Sequence, residues 1–186
     1  MSFDDIVFLD ETGFNKHTNR YYGYSVQNTP AFINVPANKG VNNSVMCAIS
    51  IDGVVGYECI RGSYNSNLFI DFILVKLVPY FRTRPNKILI MDNCRFHHTR
   101  DVANIFAQNN IVFKFLPAYS PQLNPIEEFF SMLKARFSCN KVANPGIGIF
   151  ENLSLVFSCD FSSQCHGFYR NMSRWLEKAR IRDSFI

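Results

Sequence analysis

The chain has 186 residues, 47% of them hydrophobic and 15% aromatic, enough to bury most of the apolar surface of one globular domain, taken here as residues 1–186. Nineteen Lys and Arg against fifteen Asp and Glu leave a net charge of +4, which alone argues for no particular partner. The strongest apolar run, "LFIDFILVKLVPYF" (68–81), is interrupted by Asp71 and Lys76 and is shorter than the roughly 20 residues of a membrane span, and no basic start leads into an apolar stretch, so a soluble, intracellular, non-secreted protein is expected.

In chain order, "DIVFLDET" (5–12) is a continuous apolar run ending in acidic and turn-forming residues, the pattern of a buried strand with Asp10 at its C-terminal end. "YYGYSV", "AFINV", "SVMCAISI" and "VVGYECI" follow between 21 and 62, separated by turn signals that include the hairpin dipeptide Asp52-Gly53; together they predict an antiparallel meander. Leu68, Phe69, Phe72, Ile73, Leu77 and Tyr80 then recur at three and four residues, so 65–82 reads as an amphipathic helix. "KILIMDN" (87–93) is a second buried strand, with Asp92 at its end. A helix over 97–110 capped by Thr99 and a strand over 111–117 come next, followed by "AYSPQLNPIEEFF" (118–130), a proline-punctuated loop entering a helix. Beyond 138 the pattern weakens to a turn at "NPGIG" (144–148) and a helix near 164–180. Strands first and strand–helix alternation later predict an α/β fold, a mixed sheet with helices on its faces.

Six cysteines, at 47, 59, 94, 139, 159 and 165, form no C-x-x-C pair, which fits reduced thiols. Cys159, Cys165 and His166 approach a ligand cluster, but no second close-spaced pair completes a zinc site. Arg170, Arg174, Lys178, Arg180 and Arg182 face only Glu177 and Asp183 in the last stretch. Such a balance suits a polyanion, and it equally suits a solvated helix face.

Asp10 and Asp92 stand where α/β sheets gather ligands, although Asp is also an ordinary turn residue at a strand end. Glu127 has its own plain explanation. With Asn124 as N-cap and Pro125 at the first helical position, it is the third residue, from which a capping-box carboxylate reaches back to the cap N–H. Helical phase sets Ile126, Phe129, Phe130, Leu133 and Phe137 on a buried stripe. Glu127 falls at its margin, beside Lys134, aimed toward the strand ends, and Glu128 falls nearly opposite, toward water. Three carboxylates so arranged would suit two Mg²⁺ or Mn²⁺ ions about 3.5–4 Å apart, the set that activates a nucleophile at a phosphodiester.

"FLDET" around Asp10, "MDNCRFHH" around Asp92 and "LPAYSPQLNPIEEFFSMLK" around Glu127 together resemble the catalytic domain of mariner-type transposases, members of the DDE superfamily, and of related bacterial insertion-sequence transposases. Residues 93–126, 34 in all, separate Asp92 from Glu127, the spacing found in much of that family, so Glu127 rather than Glu128 matches. The resemblance covers about 5–137, with "CHGFYR" (165–170) similar to the end of the family domain and 138–186 an extension of it. It implies an RNase H-like fold, two divalent ions held by Asp10, Asp92 and Glu127 as catalytic residues, and DNA cleavage and strand transfer. Asn93 and His97 match positions that accompany the second aspartate, and a packing role for His97 stands beside that reading. Asp52, Glu58 and Asp71 match no motif position. Lys134, Arg170, Arg174 and Lys178 are the candidates for contacting nucleic acid.

Gln122 departs from the acidic residue usual before "LNP". The chain opens directly on the catalytic pattern, so the upstream helix-turn-helix modules that read transposon ends are expected to be absent. DNA is the implied partner and a homodimer the implied assembly, with no membrane association. The implied location is the nucleus in a eukaryotic host and the cytoplasm otherwise. Two rivals remain open at this point: an inactive remnant that binds nucleic acid or a partner subunit, and a nuclease acting on RNA or a hybrid.

Overall fold

The computed structural model describes residues 3–18, 25–32, 37–117 and 120–181. Five strands form one sheet: β1 (Ile6–Phe14), β2 (Asn43–Ser50), β3 (Gly53–Arg61), β4 (Ile88–Met91) and β5 (Val112–Phe115), in the order β3-β2-β1-β4-β5. β1 runs antiparallel to β2 and parallel to β4. The sheet is therefore mixed, an antiparallel meander joined to a parallel half, as the strand pattern anticipates.

Period-two alternation splits the core in two. Ile6, Phe8, Val45, Cys47 and Ile49 face one side of the sheet. Val7, Leu9, Met46, Ala48, Leu89 and Met91 face the other. The first side is covered by α4 (Pro125–Ala143), α5 (Ile149–Phe157) and α6 (Ser162–Arg180), the second by α1 (Ser66–Phe72), α2 (Val78–Arg82) and α3 (Arg100–Gln108). All eight residues of β2 are buried, because β2 is sandwiched between helices and flanked by strands. The β2–β3 hairpin turns at Asp52-Gly53, where Gly53 takes φ +125°, a conformation costly for residues with a Cβ.

The structure corrects several expectations. The helix read over 65–82 is interrupted: Asn65 caps α1 by accepting from the Leu68 N–H at 3.0 Å, and a π-helical turn over Ile73–Leu77 then precedes α2. Pro79 has no N–H to give the Val75 carbonyl, and the Val78 N–H reaches back five residues to the Ile73 carbonyl, so the ladder widens where proline breaks it. His97 and His98 lie in a short 3-10 turn, Arg95–His98, ahead of the Thr99 cap, whose Oγ1 accepts from the Val102 N–H at 3.4 Å. The runs "YYGYSV" and "AFINV" lie largely outside the described residues, and their described parts, 25–26 and 31–32, carry no strand. α5 fills much of the segment that sequence patterning left unassigned. It joins α4 and α6 in burying Leu153, Val156, Phe157, Phe161, Cys165 and Tyr169.

Candidate active site

Asp10 stands in the middle of β1 rather than at its end, because pairing with β2 continues from Asp10↔Cys47 to Phe14↔Asn43. What ends beside it is β4, whose last pair with β1 is Leu9↔Met91. Asp10 and Asp92 are thus the next residues along two neighbouring parallel strands, which run about 4.8 Å apart. Each follows by two a residue packed in the α4 side of the core, Phe8 and Ile90, so the alternation that builds the core also sends both aspartates toward α4.

The electrostatics follow from that placement. Asp10 Oδ1 accepts from the Glu11 N–H at 2.7 Å and Oδ2 from Asn124 Nδ2 at 2.8 Å. Its carboxyl is nevertheless pushed up to about 6, chiefly by burial and further by the charges of Asp92 and Glu127, with the Glu11 and Asn124 donors opposing. Burial disfavours the charged form, and like charges add to it. Asp92 is held below its usual range mainly by the hydrogen bond from His97. His97 Nδ1 lies 3.0 Å from Asp92 Oδ1 and 3.3 Å from its carbonyl oxygen, and the Cys94 N–H donates to Oδ1 at 3.3 Å. Two neighbouring carboxylates are therefore tuned in opposite directions.

Glu127 is exposed in the first turn of α4. With Asp10, Asp92, Asn93, Pro121 and Asn124 it lines one cleft of about 410 Å³. A second cavity of about 420 Å³ opens on the other flank of the same two aspartates, lined by Thr12, Asn15, Asn42, Ser44 and Phe96 among others.

The capping-box explanation of Glu127 does not hold. The Asn124 N–H donates to the Pro121 carbonyl at 3.0 Å, and the Asn124 side chain caps nothing. Asn124 is buried and spends its amide on Asp10, while its Oδ1 has no hydrogen-bond partner among the described residues. Glu128 also departs from expectation. Instead of meeting water, it is half-buried and accepts from Asn171 Nδ2 on α6 at 2.6 Å, a strut between two helices.

Asn93 lines the cleft and pairs with His98 Nε2. His97 is buried at 4% exposure between Phe69 and Phe96, so its packing role and its contact with Asp92 are one arrangement. Lys134 is half-buried on α4, whereas Arg170, Arg174 and Lys178 are exposed along α6. Asp52, Glu58 and Asp71 lie away from the cleft. Asn124 is the site residue that sequence reasoning misassigned: its position before Pro125 signals a cap, and only the fold reveals that its amide faces Asp10.

Among the described residues no three Asp, Glu, His or Cys side chains close on a single point as they stand. The donor set itself suits a hard divalent cation. Three carboxylates converge on one cleft, and the burial and mutual repulsion that raise Asp10 are what a cation would offset. Among the described residues no helix is long and apolar enough to cross a membrane.

The architecture matches that of solved transposase structures. The Mos1 mariner paired end complex with Mn aligns at TM-score 0.69 and 19% identity, over 100% of this chain and 57% of that one. The Mos1 transposase catalytic domain with Raltegravir and Mg aligns at TM-score 0.67 and 18% identity, over 100% of this chain and 87% of that one. A further structure of the catalytic domain of Mos1 mariner transposase aligns at 0.62 over 95% of this chain. These likenesses establish the RNase H-like fold, and this chain spans little more than half of the Mos1 chain in the paired end complex. No curated protein sequence matches the chain. The family described as DDE superfamily endonuclease matches residues 5–144, a span that holds Asp10, Asp92 and Glu127 and ends before α6. On that match over most of its length, the chain belongs to the DDE superfamily of endonucleases.

Proposed function

We propose that this domain cuts DNA strands in a metal-dependent reaction and joins the resulting 3′ ends to new phosphodiesters, using Asp10, Asp92 and Glu127 as its metal-binding catalytic residues. The observation that carries the reading is the pair Asp10 and Asp92, adjacent on parallel strands, with Glu127 across the same cleft. The Mos1 catalytic domain structures with Mg and with Mn support a divalent ion, and those of transpososomes and a strand transfer complex support DNA as substrate. A pair of Mg²⁺ or Mn²⁺ ions held by the three carboxylates would neutralise phosphate charge and acidify the attacking water.

The chain's own residues supply the framework. Asn124 fixes one oxygen of Asp10 and the Glu11 N–H the other, so the carboxylate is oriented before substrate arrives. His97, packed between Phe69 and Phe96, holds Asp92 ionised and turned into the cleft. Glu127, exposed at the helix start, is free to close on whatever occupies the cleft. In hydrolysis a water oxygen bonds to phosphorus and the bond to the 3′ oxygen breaks, leaving a 3′-hydroxyl and a 5′-phosphate. In transfer that 3′-hydroxyl oxygen bonds to the phosphorus of a second phosphodiester at the same place, the target strand's own 3′ oxygen–phosphorus bond breaks, and the released 3′ oxygen takes up the proton.

By analogy with paired end complexes we infer a homodimer on DNA, acting in the nucleus of a eukaryotic host or in the cytoplasm of a bacterial one. The test sets duplex DNA, duplex RNA and a hybrid side by side with and without Mg²⁺ or Mn²⁺. Metal-dependent cutting of DNA alone supports the reading. Preferential cutting of RNA assigns the site to a ribonuclease, and binding without cutting of any substrate assigns the domain to the inactive remnants.

A further inference from the structure

The last helix carries a feature that the carboxylate site does not use. α6 buries Cys165, Tyr169 and Met172 in the core. Its outer side presents His166, Arg170, Arg174 and Lys178, all exposed, at a strict spacing of four residues. Positions four apart form a single ridge on a helix, and three such steps rise about 18 Å. Among the described residues none of Arg170, Arg174 and Lys178 is ion-paired to a carboxylate. Lys178 Nζ instead lies over the Trp175 ring, 4.9 Å from its centroid, which props its charge outward.

The helix that carries the ridge runs toward the active site. α6 lies antiparallel to α4: Arg136 stacks on Phe161 at the start of α6, and Glu128 meets Asn171 in its middle. The C-terminal half of α6 accordingly runs back beside the start of α4 and packs against Pro121–Leu123, the 3-10 turn bordering the cleft of Glu127. The helix that carries the cations therefore packs on the turn that borders the cluster of carboxylates. Carboxylates repel a polyanion on their own, and a cationic approach on one side fixes the direction from which it enters.

We infer that the α6 ridge of Arg170, Arg174 and Lys178 is a track for the sugar–phosphate backbone of duplex DNA flanking the phosphodiester to be cut. The inference rests on the nucleic-acid reading of the site and assigns the side on which the flank lies. The occupant follows from charge and length: Arg170 to Lys178 spans about 12 Å, over which one B-form strand carries about three to four phosphates, enough to meet three cations. Contacts of this kind position the duplex and carry no base readout.

The test measures binding of a duplex of arbitrary sequence by fluorescence anisotropy across a salt series without divalent metal. The proteins are the native chain, the triple variant Arg170→Gln/Arg174→Gln/Lys178→Gln, and the control Arg82→Gln/Arg84→Gln, whose charges lie exposed at the end of α2 and beyond it. Each lost phosphate contact lowers the slope of log K against log salt by about 0.9. The triple variant is therefore expected to lose about 2–3 units of slope with an unchanged melting temperature, and the control to lose none. An unchanged slope in the triple variant, or an equal loss in the control, overturns the inference. A failed cutting assay with a reduced triple-variant slope refutes the catalytic reading and leaves this one standing.

Discussion

Asp10→Asn should stabilise the metal-free protein, and the gain should grow with pH. The folded Asp10 carboxyl titrates at about 6 against 3.8 for the free residue. Between those values the folded state holds the proton more tightly than the unfolded chain, so stability falls as pH rises through the window. At 1.36 kcal/mol per unit, the penalty is about 0.5 kcal/mol at pH 4 and about 3 kcal/mol above pH 7. Asparagine removes the charge while keeping an acceptor for the Glu11 N–H. Its amide N–H₂ can donate to Asn124 Oδ1, which lacks a partner among the described residues, once that amide turns over. Urea unfolding of both proteins from pH 4 to pH 8 should therefore show their difference widening by about 2–2.5 kcal/mol. Saturating Mg²⁺ should stabilise the native protein above pH 6, by about 2.7 kcal/mol at a hundred times Kd, and the variant much less. Curves that stay parallel across the pH range would refute the claim that burial and two neighbouring carboxylates load Asp10 with unfavourable charge.

Removing His97 as His97→Ala should let the Asp92 carboxyl titrate higher, seen as an upward shift of its carbon resonance on titration. Because the native Asp92 is shifted down, its contribution to stability is present at neutral pH and lost as pH falls through the acid range, a loss the variant should no longer show. Asn124→Ala should push the Asp10 titration above about 6 and reduce cutting more at pH 6.5 than at pH 8.5, read from a pH–rate profile. Glu128→Ala should cost about 1 kcal/mol by breaking the strut to Asn171 while leaving cutting intact, a contrast with Glu127→Gln that thermal melts and nicking assays resolve together. Tyr169→Phe should cost about 1–2 kcal/mol, because its hydroxyl lies 3.1 Å from both the Ile6 and Ile49 carbonyls deep in the core, with activity retained below the melting temperature.

The two aspartates were legible because each closes an apolar run, and a run buried on both faces is a strand of a covered sheet. Their common side of the sheet follows from counting residues by twos. Glu127 was legible from helical phase, since the stripe Ile126, Phe129, Phe130, Leu133, Phe137 is buried as a set and leaves Glu127 at its edge. The end of β1 was not, because the polar residues Asp10–Gly13 stay in the sheet through pairing with β2, a contact between segments more than thirty residues apart. The partners of Asn124 and Glu128 were hidden for the same reason: Asp10 and Asn171 lie 114 and 43 residues away. α5 escaped because Phe150 and Leu155 remain 41% and 50% exposed on its outer side, which blurs the polar–apolar periodicity that marks a surface helix. The π-turn was foreseeable in principle from Pro79 inside a helical pattern.

The central claim, that Asp10, Asp92 and Glu127 form a metal-dependent phosphodiester site, is tested most directly by nicking of supercoiled DNA in Mn²⁺ and Mg²⁺ by the native chain beside Asp92→Asn and Glu127→Gln. Metal-dependent nicking that both substitutions reduce by at least two orders of magnitude, in proteins that melt at or near the native temperature, is the predicted result. Nicking that persists in Glu127→Gln, or that needs no metal, would contradict the account.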